Sequence, residues 1–270
     1  MTAAADRGVR AAPVAGRRTA AALRTATHAE WTKLRTTAGP AWLLLATVAV
    51  TVGLGVLAAA TVTCHTAEAC LVDPARTSLT GVQLGQAVVA VLGVAMVGGE
   101  YGTGMIHVTL AAVPRRPVLL AAKAAVLTAP VIAVAVVAVA GSLVAGRHYL
   151  PALDLGDGAV RRAATGAVLY LTLMALLSLG IATAVRSSAG ATGIVLALCY
   201  AYPLVVKAVP DRDWQRHLEQ AGPTTAGLSV LATTGLRELS IGPWRGLAVL
   251  AAWSAAAMLA GGLVLRYRDG

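Results

Sequence analysis

The residue types that could carry chemistry are concentrated in two short polar segments that interrupt long apolar stretches. The longer segment, GEYGTGMIHVTLAAVPRRPVLLAAK at 99–123, contains a glutamate, a histidine and two adjacent arginines. Side chains of these types can transfer protons, form ion pairs or contact a partner protein. The shorter segment, CHTAEAC at 64–70, contains two cysteines, which can pair with each other or bind a metal ion.

The two cysteines of the shorter segment, Cys64 and Cys70, form a candidate disulfide if their loop lies in an oxidising compartment. Two free thiols are the alternative, because sequence spacing does not fix the geometry that a disulfide requires. A zinc site that also uses His65 and Glu68 is a more distant interpretation, so we expect no metal.

Signatures of catalysis are missing from the sequence. It has no GxxxxGK[ST] phosphate loop, no HExxH and no GxSxG motif, and its histidines lie outside the apolar stretches. We therefore expect a chain that is not an enzyme, needs no cofactor and does not hydrolyse ATP through a phosphate loop of its own.

Membrane helices are the elements that must position these segments. The chain of 270 residues is 57% hydrophobic and 13% charged, whereas soluble domains have about 25% charged residues. Alanine, valine, leucine and glycine dominate stretches long enough for helices that cross a bilayer, so the sequence predicts an all-α polytopic protein. The six predicted spans are Ala41–Val62, Leu79–Gly98, Val118–Val144, Ala163–Val185, Ala189–Val209 and Gly246–Tyr267.

Charges are rare within these spans. No Asp or Glu lies in a span core, which disfavours a proton antiporter, since such proteins usually keep carboxylates at membrane depth. Lys123 and Lys207 lie near span ends, where we expect their ammonium groups to snorkel to the interface. The formal net charge of +10 indicates contact with anionic lipid rather than with nucleic acid.

The orientation follows from the distribution of basic residues. With the N- and C-termini in the cytoplasm, lysine and arginine are more numerous on the cytoplasmic side. The excess comes from N-terminal arginines that lie far from the first span, where this rule weakens.

Two polar segments next to the spans have helical patterns. In the longer segment, one helical face would contain Tyr101, Met105, Val108 and Ala112, and Pro114 would end the helix. This pattern predicts an amphipathic helix between spans 2 and 3. A simple chain reversal needs only about 2–8 residues. The segment between spans 2 and 3 is longer than that, which indicates a role beyond reversing the chain. Before the first span, an apolar stripe predicts an interfacial helix with a tryptophan anchor. It comprises Leu23, Thr27, Trp31 and Leu34. We expect disorder over 1–19 and one membrane domain over 20–270.

At this point the sequence resembles a known family. AEWTKLRTTAGPAWLLLAT at 29–47 and the segment at 99–123 resemble the actinobacterial type-2 ABC exporter permeases, which carry similar segments before span 1 and between spans 2 and 3. Gly102 and His107 stand where arginine is expected, and Met105 where threonine is common.

The resemblance implies a fold, partners and site residues. It implies a permease that forms a pair with a second copy or a sister chain, binds two cytoplasmic ATPase subunits and exports an amphiphilic or drug-like compound. The segment between spans 2 and 3 would be the coupling helix that contacts the ATPase. The interface positions it implies are Glu100, Tyr101, Gly104, Met105, Arg115 and Arg116. On the N-terminal interfacial helix it implies Glu30, Trp31 and Lys33.

Three function classes follow. The first is the permease of an ATP-driven exporter. The second is a non-transporting immunity or sensor component with the same fold, and the third is a secondary transporter. The segment Ala221–Leu239 is either a plain surface helix or resembles the short outer or re-entrant helices that these permeases have between their last two spans.

Overall fold

The computed structural model describes residues 11–62, 72–102, 105 and 116–268, and every regular element among them is helical. The elements in chain order are α1 (Ala11–Thr36), α2 (Ala38–Thr61), α3 (Pro74–Ser78), α4 (Val82–Gly102), α5 (Arg116–Tyr149), α6 (Gly158–Val185), α7 (Ser188–Leu196), a π-helical turn (Ala197–Ala201), α8 (Tyr202–Lys207), α9 (Arg212–Ala221), α10 (Pro223–Gly227), a 3₁₀ turn (Leu228–Leu231) and α11 (Pro243–Arg268).

Six helical stretches in this part of the chain are long and apolar enough to cross a membrane. They are α2, α4, α5, α6, the continuous α7–α8 stretch and α11, so the predicted all-α polytopic fold is confirmed. Helix α2 packs against α4 and α5, and α6 lies at the centre in contact with α4, α5, α7 and α11. We call the end of the bundle where α1 lies the N-terminal face, and the opposite end the far face.

Close packing around α6 depends on small residues. A Cβ atom on Gly180 would lie 2.6 Å from the carbonyl carbon of Ala257, and one on Gly261 would lie 2.9 Å from the carbonyl oxygen of Gly180. Real Cβ atoms do not approach so closely, so the absence of side chains allows α6 and α11 to pack backbone to backbone.

The chain between α9 and α11 returns into the bundle. Pro223, Thr224 and Gly227 are buried, and the Thr224 hydroxyl donates to the carbonyl oxygen of Leu198, 2.9 Å away in the α7–α8 span. A Cβ on Gly227 would lie 2.7 Å from the ring of Tyr170, well inside α6. This region is therefore not a plain surface helix but a buried segment formed by α10 and the 3₁₀ turn, which we call the re-entrant segment.

One carboxylate fastens this re-entrant segment to the far face. Asp73, the N-cap of α3, accepts hydrogen bonds from the backbone N–H of Arg76, from the N–H and hydroxyl of Thr233 and from the N–H of Thr234. We call this arrangement the Asp73 clasp. Burial raises the pKa of Asp73, but these donors outweigh burial, and the pKa lies below its ordinary value.

Helix α1 differs from the prediction in its start and in its buried face. It begins at Ala11, and residues 1–10 lie outside the described part. Disorder over 1–19 stays a prediction. Its buried stripe comprises Ala26, Glu30 and Leu34, which face α5. Trp31 is 39% exposed, because it lies on the side of α1 that faces away from the bundle.

Candidate functional site

Four charged side chains from three helices meet near the N-terminal face. Glu30 and Lys33 belong to α1, Glu100 lies near the end of α4, and Lys123 lies two turns into α5. Each ammonium group contacts both carboxylates, so the four residues form a closed ring with zero net charge. We call these four residues the charge ring.

The shortest contacts of the charge ring involve Lys123 and Glu100. The Lys123 Nζ donates to Glu30 Oε2 at 2.9 Å and to Glu100 Oε1 at 2.8 Å. The Lys33 Nζ donates to the same Glu100 oxygen at 2.8 Å and to Glu30 Oε1 at 3.4 Å. Glu100 Oε1 thus accepts from α1 and from α5 at once, which fixes the end of α4 between them.

Burial differs around the charge ring. Glu30 is 3% exposed and Lys123 is 2% exposed, whereas the Lys33 side chain is 41% exposed. Removing one partner from a buried ion pair typically costs about 3–5 kcal/mol, because the other charge is left uncompensated. Lys123 is therefore the member whose loss should matter most, and Lys33 the member nearest to solvent.

The surroundings of Lys33 favour the charged form of its ammonium group. Burial lowers the pKa of its ammonium group, but the hydrogen bond to Glu100 and the negative charges of Glu30 and Glu100 outweigh burial. The pKa consequently lies above its ordinary value. The carbonyl oxygen of Lys33 also accepts from the N–H and the hydroxyl of Thr37, the single extended residue that separates α1 from α2.

Two further contacts join the residues that flank 103–115 to other helices of the bundle. The guanidinium of Arg186 lies over the ring of Tyr101, 5.7 Å from its centroid, a distance typical of a cation–π interaction. Arg186 has a φ of 61° and ends α6 as its left-handed C-cap. Tyr101 therefore joins the end of α4 to the turn between α6 and α7.

Arg116, which follows 103–115 in the chain, begins α5 and contacts the end of the last helix, α11. Its Nη1 donates to the carbonyl oxygens of Leu265 and Arg266, the second at 3.1 Å. A cation near the C-terminal carbonyls of a helix is favourable for its dipole and satisfies acceptors that have no partner within the helix. The start of α5 is thus joined to α11.

The predicted interface residues have different outcomes. The structure brings Glu30, Lys33 and Glu100 together, places Tyr101 beside them on α4, and leaves Met105 half exposed. The predictions for Gly104, Arg115 and the Cys64–Cys70 pair lie outside the described residues. The amphipathic helix expected between spans 2 and 3 lies outside them as well, apart from Met105.

The prediction for Lys123 was wrong. Its ammonium group does not snorkel to the interface but is buried, with two carboxylates and the carbonyl oxygen of Met96 as acceptors. A charge at this depth in a span needs a partner of opposite charge. Because acids are rare in this sequence, Glu30 and Glu100 could have been recognised as candidate partners of Lys123. Arg186 is not among the predicted site residues, and no local pattern connects it with Tyr101.

The charge ring joins three helices through charges that are paired with each other. The charge ring pairs each acid with ammonium groups, and no group of three or more His, Cys, Asp or Glu side chains in the described ranges could hold a metal ion. No protein-family model matches the chain, and no curated protein matches it. Fold and site together define a multi-pass all-α membrane protein with a buried ionic junction at one face.

Proposed function

We propose that the chain is the permease subunit of an ATP-driven exporter of the type-2 ABC class in a bacterial cell membrane. The N-terminal face and both termini are cytoplasmic in this proposal. Two copies, or this chain and a sister chain, bind separate ATPase subunits. The chain itself is not an enzyme, and ATP hydrolysis belongs to those partners.

The observation that carries the proposal is the position of the charge ring. It joins α1 to both helices that flank the segment between spans 2 and 3, which the family resemblance assigns to ATPase contact. A force on that segment reaches Glu100 on α4 and Lys123 on α5 together, because the two side chains share a buried ion pair. The re-entrant segment before the last span also fits this class.

The mechanism follows from the same contacts. When the ATPase subunits close, they displace the ends of α4 and α5, which move with α1 as one unit, since separation would leave a buried charge unpaired. The contacts of Tyr101 and Arg116 extend this movement to α6 and α11. ATP binding shifts the balance between inward- and outward-facing states only through contacts that differ between those states.

Purification from native membranes tests the partner. The tagged chain, extracted in mild detergent, should retain an ATPase subunit that carries a phosphate loop, and a tag on that ATPase should retrieve this chain. The ATPase rate of the complex should exceed that of the isolated ATPase. Failure of both retrievals under conditions that preserve a known exporter complex would refute the proposal.

Variants separate coupling from simple assembly. Glu100→Gln and Tyr101→Ala should reduce the stimulation of ATP hydrolysis, whereas Glu238→Gln, which removes an exposed carboxylate at the far face, should not. Cells that express both subunits should also tolerate amphiphilic toxic compounds better than cells with a phosphate-loop variant of the ATPase. Association without ATP-dependent tolerance or stimulation would favour the non-transporting immunity or sensor component.

A further inference from the structure

A cavity at the far face has the size and chemistry of a ligand site. It lies between α4, the α7–α8 span and the re-entrant segment, and its volume is 440 Å³. Pockets for drug-sized molecules typically measure about 300–1,000 Å³. The cavity is separated from the charge ring by the length of the spans, so it is a second, independent site.

The inner part of the cavity is suited to an apolar body. Cys199 and Leu228 line it, and the most deeply buried polar wall residue, Gln86, is 1% exposed. Gln86 accepts a hydrogen bond from the buried Tyr170 hydroxyl, and the hydroxyl of Tyr200 donates to the carbonyl oxygen of Gln83 at 2.8 Å. These polar groups already have protein partners, so a ligand is not required to satisfy them.

The charged side chains at the mouth of the cavity differ in whether they have partners. Glu219 accepts from the Ser240 hydroxyl and, at 3.3 Å, from the side-chain amide of Gln215, so its carboxylate is engaged. Arg76 and Lys207 also line the mouth, are exposed, and have no carboxylate within salt-bridge distance among the described residues. The mouth therefore presents two cations that are available to a negatively charged group.

We infer that this cavity binds an amphiphilic anion. Its acidic group lies between Arg76 and Lys207, and its apolar body extends towards Cys199 and Leu228. Guanidinium and ammonium groups form their strongest hydrogen bonds with carboxylate, sulfonate or phosphate oxygens. As a binding site the cavity stands by itself; the further statement that such anions are the exported compounds rests on the proposed function.

The test uses three probes with the same bicyclic body. The protein, without any ATPase, is placed in nanodiscs of uncharged lipid and titrated with 2-naphthalenesulfonate, 2-naphthol and the 2-naphthyl trimethylammonium ion. Binding is measured by fluorescence against empty nanodiscs. The sulfonate should bind about tenfold more tightly than the ammonium probe, a ratio within reach of two charge-assisted contacts.

Variants connect this preference to the two cations. Arg76→Gln/Lys207→Gln should bring sulfonate affinity down to that of naphthol and leave naphthol binding unchanged, which also shows that the variant is folded. Arg212→Gln removes an exposed far-face cation outside the cavity and should change nothing. Equal binding of the three probes, an unchanged preference in the double variant, or loss of naphthol binding as well would overturn the inference.

The nanodisc experiment distinguishes this inference from the proposed function. If no ATPase associates with the chain but the sulfonate preference is present and depends on the two cations, the site exists and the exporter proposal fails. If the ATPase associates and the preference is absent, the exporter proposal stands and this ligand class is wrong.

Discussion

The two ends of the helix bundle are held by different electrostatic arrangements. At the N-terminal face the charge ring joins three helices through two acids and two ammonium groups, two of the four being almost fully buried. At the far face the Asp73 clasp joins α3 to the end of the re-entrant segment through one half-buried carboxylate and neutral donors. The ring is neutral because its two acids balance its two ammonium groups, whereas the clasp depends on the ionisation of one group.

The largest effect should come from Lys123→Met. The variant leaves Glu30 and Glu100 with a single, half-exposed ammonium partner, and the expected loss is about 3–5 kcal/mol in the free energy of unfolding. Dodecyl sulfate titration in mixed micelles measures it. Lys207→Met, an exposed lysine on the far face, is the matched control and should be close to neutral. Equal losses in both variants would contradict the importance of the ring.

Restoring neutrality should recover stability. In Glu100→Gln/Lys123→Met the remaining pair, Glu30 and Lys33, is neutral by itself, and buried ion pairs can often be replaced without loss. We expect the double variant to regain more than half of what Lys123→Met loses in the same titration. Additive losses would show that the four residues act separately rather than as a ring.

The clasp should give a smaller effect that depends on pH. Asp73→Ala leaves its donors with solvent as their only alternative acceptor, at a cost of about 1–3 kcal/mol. Because the folded pKa of Asp73 is lowered, the wild type has this contribution above the ordinary aspartate pKa and loses it as pH falls through the folded value. The difference between wild type and variant should therefore shrink in acid.

The control for the clasp is Asp154→Ala, which removes an exposed carboxylate that contacts the nearby N–H of Gly156. Thermal unfolding as a function of pH should show little difference between this variant and the wild type. A clasp variant whose deficit is the same at every pH would show that ionisation of Asp73 is unimportant.

The smallest effect should come from Lys33→Gln, because this ammonium group is partly exposed and screened by solvent. We expect a loss below about 1 kcal/mol, reduced further by salt. Since the folded pKa of Lys33 is raised, its contribution is complete below the ordinary lysine pKa and disappears as pH rises through the folded value. Unfolding titrations at low and high salt measure the difference, and a loss as large as that of Lys123→Met would contradict the order of burial.

The sequence predicts the spans well because their signal is local. Long runs of alanine, valine and leucine specify helices of bilayer length, and the observed ends differ from the predicted ones by only a few residues. The family resemblance also names Glu30, Lys33 and Glu100, but for an interfacial helix and for ATPase contact rather than for ion pairs with each other. Lys123 was misread, since its partners are 93 and 23 residues away in the chain and only tertiary packing brings them together.

At the far face, too, contacts between distant parts of the chain could not be predicted from local sequence. Two interpretations remained open for the re-entrant segment, because its broken apolar pattern suits a surface or an interior. The contact of Thr224 with Leu198 joins residues that no local pattern connects. The cavity and its two cations likewise depend on three separate parts of the chain.

The neutrality of the charge ring has a consequence for the membrane potential. A single lysine carried across a potential of 100 mV would exchange about 2.3 kcal/mol with the field. The ring contains two positive and two negative groups, so displacement of all four together involves no net electrical work. Displacement of the charge ring as one unit is therefore insensitive to the voltage across the membrane, even though the ring lies near the end of the spans.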